Sequence, residues 1–378
     1  MSNSPKVYLT SNVFKEIGSN EKISQKIREK IEILWARINL ISNLNYFDGR
    51  FPTEDQIKEI VRNFNPEIIG CHLSHQISSE ILENSEIFAI ATSTAGYNHI
   101  QRHENDDILI AHTPGVLHET VADYTIAIIM ANLRNLIDLH NYVWDGKWIP
   151  ENKWDLDQSL SSIINNKVLG IIGLGEIGKE LVKRLQPWGL KILYYDIKKS
   201  EQFSKKFPEI EFRSKMEEIF RESDIVSLHI PLNKYTEKLI NRNFLKLMKK
   251  NALLVNTARG GVLNLEDLLE LLEKKEIQIN LSFDVYPQEP IDPGTLERFK
   301  KIKEENKNIR MVLIPHNASA DADTRGKMDI LFLEDIINII ESSNINDLSN
   351  VHIIPEHKSQ LTIKKWRIYH YWERKKND

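Results

Sequence analysis

Residues 168–185 read VLGIIGLGEIGKELVKRL: an apolar strand, a glycine-rich turn and the start of an amphipathic helix. The turn is Gly173-Leu174-Gly175-Glu176-Ile177-Gly178, a GxGxxG. Alone the hexapeptide is a weak signal, but between a strand and a helix it acquires a mechanism. Gly173 permits the tight turn, Gly175 lets the backbone approach a pyrophosphate, and Gly178 allows close helix–strand packing. The amides at the helix start then face the anion. The next strand, KILYYD, ends at Asp196, 18 residues after Gly178. A carboxylate there accepts from both ribose hydroxyls of an adenosine and repels a 2′-phosphate. NAD is therefore the expected cofactor, with NADP left open because Lys198 and Lys199 temper the repulsion. An S-adenosylmethionine fold has a similar glycine turn but accounts for nothing downstream.

Working outward from Lys167, the strand candidates are KVLGIIG, KILYYD, DIVSLHI, NALLVNTA, IQINLSFDV and RMVLIPH. GKELVKRLQPWG, SKMEEIFRES, RNFLKLMK and LEDLLELLEKK are the helices between them. Six strands with helical connections are the inventory of a doubly wound dinucleotide-binding domain. The first hundred residues alternate as well, with KVYLT, INLIS, EIIGC, FAIAT and ILIAHT as strands. TEDQIKEIVRNF (53–64), N-capped by Thr53, and SSEILEN (78–84) read as helices. Thr120 to Trp144 reads as one long helix, apolar nearly all round in its first half, which suggests burial against another domain or subunit. The polar, Trp-containing stretch GKWIPENKWDLDQSL that follows reads as a surface excursion.

The composition is that of an ordinary globular protein: 378 residues, 41% hydrophobic and 28% charged, long enough for two domains. A net charge of -4 gives no general bias toward nucleic acid or membrane. Cys71 is the only cysteine, which excludes an intramolecular disulfide and a cysteine-based metal site. Its apolar setting, EIIGC, suggests a small buried side chain. No signal-peptide pattern or bilayer-length apolar run is visible, so a cytoplasmic protein is expected.

Three strand ends carry chemistry. NALLVNTA is followed by Arg259-Gly260-Gly261, an arginine on a small-residue turn, placed to grip a carboxylate by two parallel hydrogen bonds. SFDVYPQEP puts Asp284 at a strand end and Glu289 five residues on. LIPHNAS puts His316 at the end of the next strand. In an open parallel sheet these ends share one edge, beside the dinucleotide crevice. Each residue alone has an ordinary reading, as surface charge or packing; their joint placement makes coincidence a poor account.

The chain resembles the D-isomer-specific 2-hydroxyacid dehydrogenases, a family that includes glyoxylate, hydroxypyruvate and D-3-phosphoglycerate dehydrogenases. The resemblance spans about residues 5 to 350. It rests on ATSTAGYNHI, HTPGVLHETVADYTIAIIMA, VLGIIGLGEIGKEL, HIPLNKYT, LLVNTARGGVL, FDVYPQEP and IPHNASADADTRGKM, all in family order. It implies a Rossmann-type NAD-binding domain inserted into a flavodoxin-like substrate-binding domain, and a catalytic triad of Arg259, Glu289 and His316. Reduction of a 2-oxoacid needs a hydride on C2 and a proton on oxygen. Arg259 would hold the carboxylate and polarise the carbonyl, His316 would donate the proton, and Glu289 would stabilise the imidazolium and fix its orientation.

The resemblance also places the diphosphate at Glu176 and Ile177, the ribose at Asp196, and the adenine side at Ile230 and Pro231. It places the nicotinamide half at Thr257, Ala258, Asp284, His316 and Ala318, and the substrate carboxylate at the amides of Ala95 and Gly96. Thr94, Asn98, Asp123 and Asn166 depart from the family pattern without touching the triad, so they bear on substrate choice. Formate dehydrogenases resemble the chain with Gln in place of Glu289, and phosphite dehydrogenases carry a lysine in the loop matching residues 92–97; both branches are disfavoured. Glyoxylate or hydroxypyruvate is the expected substrate. The rival reading is a non-enzymatic, NAD(H)-responsive interaction protein of the co-repressor kind, since such proteins share the fold.

The expected division is residues 1–118 for the first part of the substrate-binding domain, 119–317 for the NAD-binding domain and 318–354 for the return. Residues 355–378 form a basic, aromatic extension outside the resemblance, expected to dock on its own protein or a dimer partner rather than on nucleic acid or membrane. The helix from Thr120 would suit a homodimer interface.

Overall fold

The computed structural model describes residues 4–101, 106–153 and 155–377. They divide into two compact units, Met1–Leu117 with Ala320–Asp378, and His118–Ser319. The second unit is thus an insertion in the sequence of the first.

The first unit is built on five parallel strands, β1 (Lys6–Leu9), β2 (Asn43–Tyr46), β3 (Ile68–Cys71), β4 (Ala89–Thr92) and β5 (Leu109–Ala111). Their order, β2-β1-β3-β4-β5, is that of flavodoxin-like sheets. All residues of β3, β4 and β5 are buried, because helices cover both faces of a parallel sheet. Helix Glu54–Phe64 begins at a reciprocal cap between Thr53 and Gln56. INLIS, expected as a strand, is instead the last turn of helix Gln25–Ile41. Ile31, Leu34, Trp35 and Ile38 are its buried positions, a helical spacing that outweighs the local β-branched composition. β2 follows directly at Asn43.

Helix Gln25–Ile41 packs along helix Ala322–Glu341, which begins at an N-cap where the Asp321 carboxylate accepts from Thr324 N–H at 2.8 Å. The tail closes the same unit. Trp366, Ile368, Tyr371 and Trp372 are buried in its core. Tyr371 donates to the Ile340 carbonyl at 2.8 Å, and Trp372 donates to Ser342 Oγ at 2.9 Å. The Lys375 ammonium reaches the carbonyls of Ile340, Glu341 and Ser342, the free end of the helix Ala322–Glu341. Trp366, Tyr371 and Trp372 of the extension are therefore core, and three of its cations, Lys364, Arg367 and Lys375, satisfy backbone carbonyls.

Asp329, in the middle of that helix, is 2% exposed and neither carboxylate oxygen has a hydrogen-bond partner among the described residues. Burial pushes its carboxyl well above the usual carboxylate range. The folded state then keeps a proton that the unfolded chain releases, so stability is full below the ordinary aspartate pKa and falls as pH rises toward the folded value. Asp329→Asn removes that cost. Its expected gain is about 1–3 kcal/mol, about 2–12 °C in thermal midpoint at about 2–4 °C per kcal/mol for a unit of this size. Melting curves should show a larger gain at pH 8 than at pH 5; an equal gain would mean the carboxyl is not held neutral.

The second unit carries seven parallel strands: β6 (Val168–Ile172), β7 (Lys191–Tyr195), β8 (Glu211–Phe212), β9 (Ile225–Leu228), β10 (Leu253–Asn256), β11 (Asn280–Phe283) and β12 (Met311–Leu313). The order is β12-β11-β10-β9-β6-β7-β8, reversing between β6 and β9 as in a doubly wound dinucleotide-binding sheet. The six expected strands are present. β8, two residues long, and helix Pro293–Glu305 are additional. Thr120–Trp144 is two helices, His118–Leu133 and Leu136–Trp144, broken where Asn135 adopts a left-handed φ of 54°. The first lies on the sheet of its own unit, with Asn132 donating to the Leu281 carbonyl at 2.9 Å. Of the polar excursion after Trp144, Trp154 lies outside the described residues.

Candidate active site

The glycine turn joins β6 to helix Glu176–Leu185. Gly173 sits at φ +94°, and a Cβ there would fall 2.7 Å from the His229 carbonyl oxygen. A Cβ on Gly178 would fall 2.6 Å from the Gly173 carbonyl oxygen, which fixes how closely the helix approaches the strand. A Cβ on Gly175 meets nothing within 4 Å, so the space a side chain would occupy is open in front of the helix N-terminus. That open cradle fits a pyrophosphate, to which the first-turn amides of Glu176, Ile177 and Gly178 would donate. The Glu176 side chain turns away to Lys179 at 2.8 Å. Ile230 packs beside the turn, and Pro231 is exposed.

Asp196 ends the neighbouring strand β7. One carboxylate oxygen accepts from Leu174 N–H at 2.8 Å and the other from Ile197 N–H at 2.7 Å. A carboxylate has about four acceptor positions, so capacity remains for a diol.

At the end of β10, the Asn256 side chain clamps the next turn, accepting from Ala258 N–H and donating to the Arg259 carbonyl, both at 3.1 Å. Thr257 shares a hydrogen bond with Thr125 at 2.9 Å. Arg259 Nη1 donates to the Ala258 carbonyl at 2.7 Å, which folds the guanidinium back over the strand end. Burial pushes this guanidinium down from its usual range, while the Glu289 charge works the other way.

At the ends of β11 and β12, His316 Nδ1 lies 2.6 Å from Glu289 Oε2. Glu289 Oε1 accepts from Tyr286 N–H at 2.9 Å. Burial alone would raise the Glu289 carboxyl, but the His316 hydrogen bond and the neighbouring positive charges hold it below the usual range. No acceptor occupies His316 Nε2 among the described residues, and the ring remains partly exposed.

Asp284 does work the sequence did not reveal. It is 1% exposed, and its two oxygens accept from the amides of Asn317 at 2.7 Å and Ala318 at 3.0 Å. Its own carbonyl accepts from His316 N–H at 2.7 Å. This carboxylate, whose pKa burial raises against the pull of the two amides, holds the turn in which His316 sits at a left-handed φ of 49°. Asn256 and Tyr286 were not singled out from sequence. An Asn or Asp closing a strand is the usual signal for such side-chain-held turns.

In the first unit, Thr94, Ala95 and Gly96 follow β4. Three successive carbonyls are tied back: Thr94 O by Thr113 N–H at 2.9 Å, Ala95 O by His112 Nδ1 at 2.8 Å, and Gly96 O by Thr94 Oγ1 at 2.6 Å. The amides of Thr94, Ala95 and Gly96 have no acceptor among the described residues. Such a run of unused amides is a concavity for an anion. No cluster of metal-ligating side chains is present among the described residues.

A doubly wound sheet with an open glycine cradle, and a histidine–carboxylate pair and an arginine at its strand ends, defines the class of nicotinamide-dependent oxidoreductases. The model of the D-isomer specific 2-hydroxyacid dehydrogenase NAD-binding domain matches residues 126–318. A glyoxylate reductase from Thermofilum pendens is 33% identical over 302 residues, covering 79% of this chain and 85% of its own. One from Korarchaeum cryptofilum is 33% identical over 337 residues, covering 88% and 92%. The crystal structure of the TT0316 protein from Thermus thermophilus superposes with a TM-score of 0.71 at 27% identity, covering 89% of this chain and 97% of that one. The chain belongs to the D-isomer-specific 2-hydroxyacid dehydrogenase family and is an NAD(P)-dependent oxidoreductase. The non-enzymatic reading loses its ground, since its relatives are reductases.

Proposed function

We propose that this protein reduces a small 2-oxoacid, glyoxylate or hydroxypyruvate, to the 2-hydroxyacid, with NADH as donor. The observation that carries the reading is the His316–Glu289 pair: Nδ1 is anchored at 2.6 Å while Nε2 is left unused. When bound, the reduced nicotinamide supplies the hydride that C2 of the oxoacid accepts. Arg259 holds the carboxylate as a bidentate partner and draws charge from the adjacent carbonyl. His316 Nε2 gives its proton to the carbonyl oxygen, and Glu289 compensates the imidazolium that precedes the transfer. The unused amides of Ala95 and Gly96 support a carboxylate-binding role for this loop of the first unit. Asp284 acts through the 316–318 turn rather than on the nicotinamide itself. No helix among the described residues is long and apolar enough to cross a membrane.

The test is a panel of 2-oxoacids with NADH and NADPH followed at 340 nm. Turnover of glyoxylate or hydroxypyruvate at the highest kcat/KM supports the assignment, and a branched or aromatic oxoacid in first place overturns it. Asp196→Asn keeps an oxygen for Leu174 but drops the charge. It should raise the NADPH:NADH ratio of kcat/KM by about tenfold, the loss of a charged hydrogen bond worth about 1.5–3 kcal/mol. An unchanged ratio would mean the ribose binds elsewhere.

The homodimer is part of this proposal. Helix His118–Leu133 is occupied within its own unit, but Leu136, Val143, Trp144, Trp148, Leu156, Leu160 and Ile163 expose their side chains. Apolar exposure concentrated in one segment of 28 residues marks an association surface. A dimeric mass by light scattering that becomes monomeric in Trp144→Asp is the expected result; a monomeric parent protein would refute it.

A further inference from the structure

We propose that His112 is a positioning residue that aims the amide of Gly96 at the substrate carboxylate. The inference rests on the reading of the 94–96 loop as the carboxylate site and goes one step behind it. β4 and β5 are parallel neighbours, so the loops that follow them emerge side by side. His112 is the first residue after β5 and Ala95 the third after β4. A carbonyl only accepts, so His112 Nδ1 carries the proton it donates to Ala95 O at 2.8 Å. In a planar trans peptide the C=O and the following N–H point in opposite directions. Pulling Ala95 O onto the imidazole therefore turns the Gly96 N–H to the opposite side, where it has no acceptor of its own.

The imidazole is itself fixed. Its backbone N–H donates to the His352 carbonyl at 2.9 Å, and the ring of Tyr97 stands edge-on to it, with centroids 5.5 Å apart. His352 in turn is held by Asp335, 1% exposed, which accepts from its backbone N–H at 3.0 Å and its Nδ1 at 2.9 Å. The chain returning through Val351–Ile354 thus reaches the substrate loop through two histidines. Burial keeps His112 below the usual histidine range, so the ring is a neutral donor and adds no charge of its own to the loop. A lysine or arginine there would attract the anion to the wrong place; a neutral donor only orients.

The experiment uses the full-length holoenzyme. His112→Phe keeps the ring volume and removes the donor, and His112→Asn retains an N–H that reaches the same carbonyl. Should the phenylalanine fail to fold, His112→Ala takes its place. The donorless variant is expected to raise KM for glyoxylate about tenfold, the loss of one net hydrogen bond, with kcat and NADH affinity by fluorescence at parent values. His112→Asn is expected to restore KM. If the donorless variant leaves KM unchanged, or asparagine raises it equally, His112 does not aim the loop. Gly96→Pro, which deletes the amide outright, separates the two claims. If it raises KM while His112→Phe does not, the loop reading stands and the His112 proposal falls. If neither raises KM, the loop is not the carboxylate site.

Discussion

His316→Gln should lower kcat for 2-oxoacid reduction by about 10²–10⁴-fold, the contribution of a positioned general acid, while NADH binds as before. Three features of the site make the expected effect large. The ring is oriented by Glu289 at 2.6 Å, so Nε2 has one direction to face. Glu289 is in turn fixed by the Tyr286 amide at 2.9 Å and stays ionised through the whole assay range, because its carboxyl is held below the usual range. The backbone beneath the ring is held in the left-handed region by the Asp284 carboxylate, bonded to the next two amides. Glutamine keeps a polar atom near the carbonyl oxygen but has no proton acidic enough to give. The check is kcat and kcat/KM for parent and variant, with single-turnover mixing to isolate hydride transfer. A variant that kept parental turnover would remove His316 from the mechanism.

Most of the second unit was legible because its signals are local. A GxGxxG between strand and helix announces itself, and Gly173, Gly175 and Gly178 each do a different job visible in the geometry. Elsewhere the misreadings have physical causes. INLIS looked like a strand in a five-residue window, but Ile31, Leu34, Trp35 and Ile38 form the buried stripe of one helix, a pattern that only a longer window shows. The break at Asn135 was hidden because apolar residues recur on both sides of it, Leu133 before and Leu136 and Ile137 after, and a single left-handed asparagine leaves no change in periodicity. β8 is too short to have a period at all. In the tail, the mixture of aromatic and basic residues points to a segment that docks on its own protein or a partner, and it docks on its own unit. Trp366 and Trp372 became core because the end of helix Ala322–Glu341 left apolar surface and open carbonyls to cover. At the site, sequence order placed Arg259, Glu289 and His316 on one sheet edge. It could not show that Asp284 spends both oxygens on backbone, since that depends on how the 316–318 turn closes over β11.

Arg259→Lys should lower kcat/KM for the oxoacid by about 10²–10³-fold, which corresponds to about 3–4 kcal/mol, with much of the loss appearing in KM. The charge is conserved in this change; what disappears is the planar fork. Two charge-assisted hydrogen bonds, each worth about 1.5–3 kcal/mol, act on the carboxylate in a geometry an ammonium cannot copy. The local fold supports the fork at several points. Asn256 clamps the turn on both sides of Ala258, and Nη1 is anchored on the Ala258 carbonyl at 2.7 Å. Gly260 is seated so tightly that a Cβ would lie 1.8 Å from the Tyr286 carbonyl carbon. That contact joins the arginine turn to the segment that carries Glu289, so the carboxylate grip and the proton donor's anchor share one backbone junction. Gly260→Ala should therefore lower activity through both, whereas Arg259→Lys should leave the His316–Glu289 pair as it was. Steady-state kinetics distinguish them: a fall in kcat/KM carried largely by KM assigns Arg259 to substrate binding and carbonyl polarisation, whereas Gly260→Ala lowers kcat as well. If lysine instead preserved kcat/KM, a point charge would suffice there, and the bidentate role would be wrong.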